Sequence, residues 1–339
     1  MNKFIAIIFI FIYNNVFCQD PHFSQFFAAP ITLNPALTGS SDNDWRFISN
    51  YRTQWQTLAA PYNTTTLSID TKLIKDKKEG DDDNVLGIGT NFMYDASFFN
   101  IVKSTYATLS MSYGQTLYHE NEDKHRINLG FGITYGSRRI AFDELNWEDQ
   151  FTTDGFNTNL PTGEQILSNM KPYISLNTGI IYSISNENKI FEVGGSVYHI
   201  NKPKQTFLED HNQVIPVRYV LYTKYYKIFD NNFFVDVNSI YQQQASIHYF
   251  IIGGFLGTIL NTDAYNMSSI SVGCFLRNKD AVYPALVFQK QNWRFNFSYD
   301  VTISKLNQSF IKPHSFELCL RYGLNKLNAQ IKKTSCPTR

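Results

Sequence analysis

Residues 293–303 read WRFNFSYDVTI and alternate without a break. Trp293, Phe295, Phe297, Tyr299, Val301 and Ile303 fall on one side, and Arg294, Asn296, Ser298, Asp300 and Thr302 on the other. A strand sends successive side chains to opposite faces, so this stretch has one apolar and one polar face. It is longer than the usual globular strand of about 5–6 residues. It matches the roughly 9–11 residues that a tilted strand needs to cross a bilayer. Residues 314–323 repeat the pattern, with Phe316, Leu318, Leu320 and Tyr322 set against Ser315, Glu317, Cys319 and Arg321. Apolar residues outward to lipid and polar ones inward to a lumen describe a transmembrane barrel.

Working outward, fourteen segments alternate in this way: 45–52, 63–72, 85–94, 102–114, 125–136, 173–184, 190–199, 217–227, 232–240, 246–257, 269–277, 281–289, 293–303 and 314–323. Ile127, Leu129, Phe131, Ile133 and Tyr135 form one lipid-facing row, and Ile174, Leu176, Ile180, Tyr182 and Ile184 another. The segments 269–277 and 281–289 alternate less clearly, and Pro284 interrupts the second. The fold class is all-β: a transmembrane antiparallel barrel of about 14 strands, spanning 45–323. An even count puts both chain ends on one side, the periplasm. The long connections 136–172 and 200–216 then lie outside, and the turns 185–189, 228–231 and 290–292 lie in the periplasm. Residues 73–84, with their charge run, break this rule as a long periplasmic loop. Strand glycines at 87, 89, 130, 132, 253 and 254 fit the bends of a small barrel.

The ends of the chain read differently. Lys3 and the apolar run 4–13 make residues 1–18 a secretory signal peptide, with cleavage between Cys18 and Gln19. An acylated Cys18 is disfavoured by the bulky Phe17 before it. Residues 19–44 lack alternation and form an irregular segment, either a lumen plug or a periplasmic lead-in. Residues 324–339 form a periplasmic tail. The export route implied is Sec-dependent, and the destination is the outer membrane.

Composition narrows the function. Without Lys3 the basic and acidic residues balance at 29 each, so no basic excess points to nucleic acid. Charged residues are 17% and aromatics 16%, which suits aromatic girdles facing lipid. The longest later apolar run, 250–260, is too short and glycine-rich for a spanning helix. Cys274, Cys319 and Cys336 are an odd set with no zinc spacing. His119-Glu120 begins an H-E-x-x-H, but Asp123 stands where the second histidine belongs, and His125 lies across a turn. Neither a nucleophile elbow nor a dinucleotide loop is present. No catalytic, metal or cofactor residue is assigned, no cofactor is expected, and the chain reads as a non-enzyme. If the last two strands pair end to end, Asp300 and Glu317 come together with Arg294 and Arg321 nearby. Paired carboxylates of this kind require a cation or a raised pKa.

Several motifs, in order along the chain, resemble the PorP/SprF family of type IX secretion membrane proteins. The opening QDPHFSQFFAAPITLNPALTGS carries Asp20, Pro21, Phe23, Ser24, Gln25, Asn34, Pro35 and Gly39. A YRTQW element follows with Tyr51, Arg52, Gln54 and Trp55. Then come 142–151, FDELNWEDQF, and 195–207, GSVYHINKPKQTF, with His199 and Pro203. The strand holding Tyr299 and Asp300, the run 314–317 and the Cys336-Pro337 tail complete the set. The chain departs from the family at 26–29 and at its last two residues. The resemblance implies a barrel that works with the other type IX components. It implies a secreted client, often a gliding adhesin, recognised by its C-terminal sorting domain and held at the cell surface. Trp147, Phe151, Phe156, Phe207 and Leu208 in the outer loops are the candidate client-binding residues, because clustered exposed apolar groups mark interaction sites. The alternatives are an outer-membrane channel or transporter for small solutes, which needs an open lumen, and a barrel hydrolase, which needs an acid–base cluster at the outer rim.

Overall fold

The computed structural model describes residues 20–56, 60–77, 83–163, 170–206, 213–261, 267–304 and 313–325. Fourteen strands form a closed barrel, each antiparallel to its sequence neighbour. They are β1 (Trp45–Gln54), β2 (Tyr62–Lys77), β3 (Asp83–Ser97), β4 (Val102–Glu120), β5 (Asp123–Ile140), β6 (Tyr173–Ser185), β7 (Lys189–Tyr198), β8 (Arg218–Ile228), β9 (Phe233–Gln244), β10 (Ile247–Asn261), β11 (Ser268–Arg277), β12 (Ala281–Lys290), β13 (Trp293–Thr302) and β14 (Ser315–Leu324). The cylinder closes where β1 meets β14, from Trp45 opposite Leu324 to Thr53 opposite Phe316. Closure is what lipid demands, since an open sheet edge would leave backbone N–H and C=O groups unpaired in hydrocarbon.

The outward rows follow the alternation. Leu129, Phe131, Ile133 and Tyr135 are exposed on β5, and Phe295, Phe297 and Val301 on β13. β1 begins and β14 ends at the rim with the short turns, the periplasmic rim of a barrel. Two expectations are corrected here. The connection 73–84 is not a long loop: β2 continues to Lys77 and β3 begins at Asp83, so both strands extend the ladder and only 78–82 separate them. Pro284 does not interrupt β12. It faces outward opposite Cys274, and the pairing with β13 skips Tyr283 and Pro284. A residue without N–H is accommodated by giving up ladder bonds on one side only.

The lumen is filled. The chain enters it near the outer rim at Asp20 and descends as three short helical turns, Phe26–Ala28, Pro30–Leu33 and Pro35–Leu37, before joining β1. Prolines at the first position of the second and third turns remove an N–H that has no partner there. The plug also overturns the picture of a uniformly polar inner face. Inward-facing Ile251, Phe255, Phe275 and Tyr283 are at most 1% exposed. Phe27 packs between the rings of Phe255 and Phe275, both 5.4 Å away. This explains why 250–260 is apolar on both faces: one faces lipid, the other the plug. Room is made by inward glycines. A Cβ at Gly130 would lie 2.1 Å from the Ala36 nitrogen, so no side chain fits while the plug is seated.

Candidate functional site: a latched plug beneath an aromatic rim

Asp300 and Glu317 do come together, but not with the expected partners. Arg294 and Arg321 sit near the periplasmic ends of β13 and β14, opposite each other. The carboxylates lie near the outer ends, where Arg52 of β1 and Arg277 of β11 reach them. Barrel closure brings β1, and Arg52 with it, beside β14. Arg277 Nη2 donates to Asp300 Oδ2 at 2.8 Å, and Arg52 Nη2 to the same oxygen at 3.4 Å. Arg52 Nε is 3.9 Å from Glu317 Oε2, and its Nη1 donates to the carbonyl of His22.

The plug completes the cluster. Ser24 N donates to Glu317 Oε2 at 2.8 Å and Gln25 N to Oε1 at 3.1 Å. Ser24 Oγ donates to Asp300, accepts from Arg277 Nη1 at 3.0 Å, and the Ser24 carbonyl accepts from Tyr283 Oη at 2.7 Å. Gln25 Nε2 donates to Ser298 Oγ at 3.0 Å. Buried charges are tolerated only when paired and hydrogen-bonded, and here both conditions hold. The motif residues Ser24, Gln25, Arg52 and Asp300 thus form one latch. Arg277 and Glu317 belong to it too; Arg277 had no signal in the alternation beyond its inward parity.

Two further clasps hold the segment. Asp20 accepts from Arg218 at 3.2 Å and pairs with His199 Nε2 at 2.8 Å, while Gln244 Oε1 accepts from the Asp20 N–H. At the lower end Asp70 binds Arg46 at 2.7 Å and accepts from Gly39 N at 2.6 Å. Gly39 has φ +65°, and a Cβ there would come within 2.7 Å of Gly87 Cα, so glycine is required on both counts. Between the clasps, Asn34 Nδ2 donates to the carbonyls of Ile180 and Gly195, and its Oδ1 caps the turn at Ala36 N. Pro35 starts that turn, and Phe23 packs with Met93, Tyr106 and Tyr173. Pro21 lies beside the Asp20 clasp and is half-buried.

Other motif residues lie elsewhere. Tyr51 is exposed on the outer wall against Phe316. Gln54 ends β1 at the outer rim, where Trp55 packs edge-on against Tyr62. Pro203 is buried and accepts from Ile215 N at the base of the 199–217 loop. Tyr299 meets His314 through its hydroxyl.

The outer rim carries aromatic groups. Trp147 is half-buried at the start of a small projection in the loop after β5. Phe151 and Phe156 face each other across a two-residue ladder, ring centroids 5.0 Å apart and 65% and 54% exposed. Gln150 beneath them is buried and donates to the Leu160 carbonyl at 3.0 Å, which holds the projection in shape. Phe207 and Leu208 lie outside the described residues, as do the signal-peptide residues, Cys18 and Gln19 among them, and the tail with Cys336. Two aromatics were missed from sequence: Phe98 and Phe99, 57% and 69% exposed at the neighbouring turn. Phe98, Phe99 and Asn100 all have positive φ, a strained backbone for aromatic residues.

Among the described residues no group of three or more His, Cys, Asp or Glu is placed to hold a metal. His119 and His125 face different partners, and His125 bonds Tyr182 at 2.6 Å. Cys274 and Cys319 are free thiols.

Acid should unseat the plug in two stages. His22 packs at a tilt against Tyr249, centroids 4.9 Å apart; burial and then the charges of Arg52, Arg277 and Arg218 push its pKa well below the ordinary 6.5. A released His22 takes up a proton below about pH 6.5; a seated one does not. The His22 contribution to seating therefore weakens as pH falls through 6.5. Burial opposes ionisation of Asp20, yet His199 and Arg218 hold its carboxyl well below the usual carboxylate range. Its contribution is complete above about pH 4 and is lost below it. Protease access to residues 20–44 of the detergent-solubilised barrel, followed from pH 7.5 to 5, should rise more steeply below 6.5 in wild type than in a variant lacking the imidazole. His22→Phe should flatten that slope.

No match is found among curated proteins. Solved structures with a similar fold include CdiB from Acinetobacter baumannii, with 7% identity and TM-score 0.41. The match covers 83% of this chain and 60% of that one, so this chain spans less than two thirds of CdiB. Another is the Ralstonia pickettii toluene transporter TbuX, with 8% identity and TM-score 0.44 over 88% of this chain and 94% of that one. A third is the Pseudomonas putida toluene transporter TodX, with 8% identity and TM-score 0.45 over 86% and 92%. The sequence matches the profile of the type IX secretion system membrane protein PorP/SprF over residues 15–322, nearly its whole length. With the closed barrel, this is consistent with an outer-membrane location; the chain belongs to the PorP/SprF family.

Proposed function

We propose that the protein is a non-enzymatic outer-membrane component of the type IX secretion system that captures a secreted client at its outer loops and keeps its own lumen shut. The chain reaches the membrane by Sec-dependent export with cleavage after Cys18. The client carries a C-terminal sorting domain and is an adhesin-like surface protein. One observation carries the reading: Phe151 and Phe156 stand exposed on a hydrogen-bonded projection above a plugged barrel. Exposed aromatic pairs on a rigid base are suited to anchoring a partner, because little side-chain entropy is lost on binding. Phe98 and Phe99 extend the same rim, joined to it through the Ala141 N–H and the Ile101 carbonyl, 2.9 Å apart.

Deletion of 146–160 removes the projection but none of the barrel strands. Cells with this variant should insert the barrel normally, shown by heat-modifiable gel mobility, and shed the client into the medium. Phe151→Ser with Phe156→Ser should weaken retention at least tenfold. Full client retention with a correctly inserted deletion variant would refute the assignment.

A further inference from the structure

Four arginines that reach into the lumen each have a carboxylate partner: Arg46 on Asp70 at 2.7 Å, Arg52 on Asp300 at 3.4 Å, Arg218 on Asp20 at 3.2 Å and Arg277 on Asp300 at 2.8 Å. Arg294 and Arg321 differ. They stand directly opposite each other on β13 and β14 and share the inward parity of Asn296 and Cys319. Arg294 Nε donates to Asn296 Oδ1 at 3.3 Å, and Arg321 Nη2 to Ser41 Oγ at 3.3 Å. Among the described residues, neither guanidinium has a carboxylate within ion-pair distance. Both line a cavity of about 360 Å³ between the underside of the plug and the periplasmic mouth. Lys72, Arg126 and Lys224 are on the same wall with Asp42, Glu192 and Asp236, and Arg46 there is paired with Asp70, so the opposed Arg294 and Arg321 leave the wall with basic groups in excess.

Like charges directly opposite on a sheet destabilise it, and a guanidinium cannot relieve the repulsion by losing its proton. An anion between them can. We infer that this vestibule is an oxyanion-binding site, in which Arg294 and Arg321 clamp a carboxylate or phosphate group that arrives from the periplasm. The planar, forked donors of two arginines suit either group, and the cavity leaves it room. The site lies at the mouth opposite the aromatic rim and does not depend on the client-docking reading.

The test uses the full chain in lipid nanodiscs and titration calorimetry with two probes, inorganic phosphate and a tetraglutamate peptide. Wild type should bind at least one of them saturably. Arg294→Gln with Arg321→Gln should bind it at least tenfold more weakly. The double variant should keep heat-modifiable mobility, because it removes a repulsion. Arg321→Lys keeps the charge but loses the fork, and should fall between the two. Phosphate binding without peptide binding would define a small-oxyanion site; peptide binding without phosphate would define a site for polypeptide carboxylates; both support the clamp. No saturable binding of either probe by wild type, or equal binding by the double glutamine variant, would overturn it.

Discussion

Asp300→Ala should loosen the plug more than any other single change in the barrel wall. The carboxylate is 3% exposed and receives hydrogen bonds from Arg277, Arg52 and Ser24. Removing it leaves two buried guanidiniums that share only Glu317, 3.9 Å from Arg52, and the exposed Asp280. Breaking a buried pair by deleting one partner costs about 3–5 kcal/mol. Most of that cost should fall on the plugged state, since release of the segment lets water reach the arginines. The seated-to-released ratio should drop by two to three orders of magnitude relative to wild type, read as protease cleavage within 20–44 and as a lower temperature for the gel-mobility transition. Asp300→Asn should cost less, because it keeps an acceptor but loses the charge. Unchanged protection of residues 20–44 in Asp300→Ala would show that the latch does not hold the plug.

Deleting Asp20–Gly39 should turn a closed barrel into a conducting one. The segment fills the lumen from the Asp20 clasp near the outer rim to the Asp70 clasp near the periplasmic one. Wild type in planar bilayers should show no steady conductance; the deletion should show large, long-lived openings. The barrel loses the packing of Phe27 on Phe255 and Phe275, so it should also melt earlier. Gly130→Val separates the two effects. It leaves every contact group in place, but its side chain would collide with Ala36, so the plug must shift. It should conduct intermittently while the wall stays intact. Steady conductance of the wild-type barrel would favour the small-solute channel over a sealed anchoring protein.

How much of this was written in the chain can be judged residue by residue. Trp293–Thr302 shows its lipid face because a two-residue period is local, and lipid rewards it on every outward residue. Strand ends were harder to place: β2 runs to Lys77 through charged residues, because outside hydrocarbon the ladder continues without apolar alternation. The double-sided apolarity of β10 has no local explanation, because its second environment is Phe27 of the plug.

Alternation alone marks a closed barrel of about fourteen strands, and the motifs mark the family. Alternation and turn chemistry act between neighbours, so one dimension is enough to record them. It took the tertiary structure to show that residues 20–44 run through the lumen, that Arg52 and Arg277 rather than Arg294 and Arg321 hold Asp300, and that among the described residues no carboxylate lies within ion-pair distance of the facing Arg294 and Arg321. The plug contacts and the hold of Arg52 on Asp300 depend on closing β14 onto β1 and threading a segment inside, which join residues more than two hundred positions apart. No local pattern records such distances.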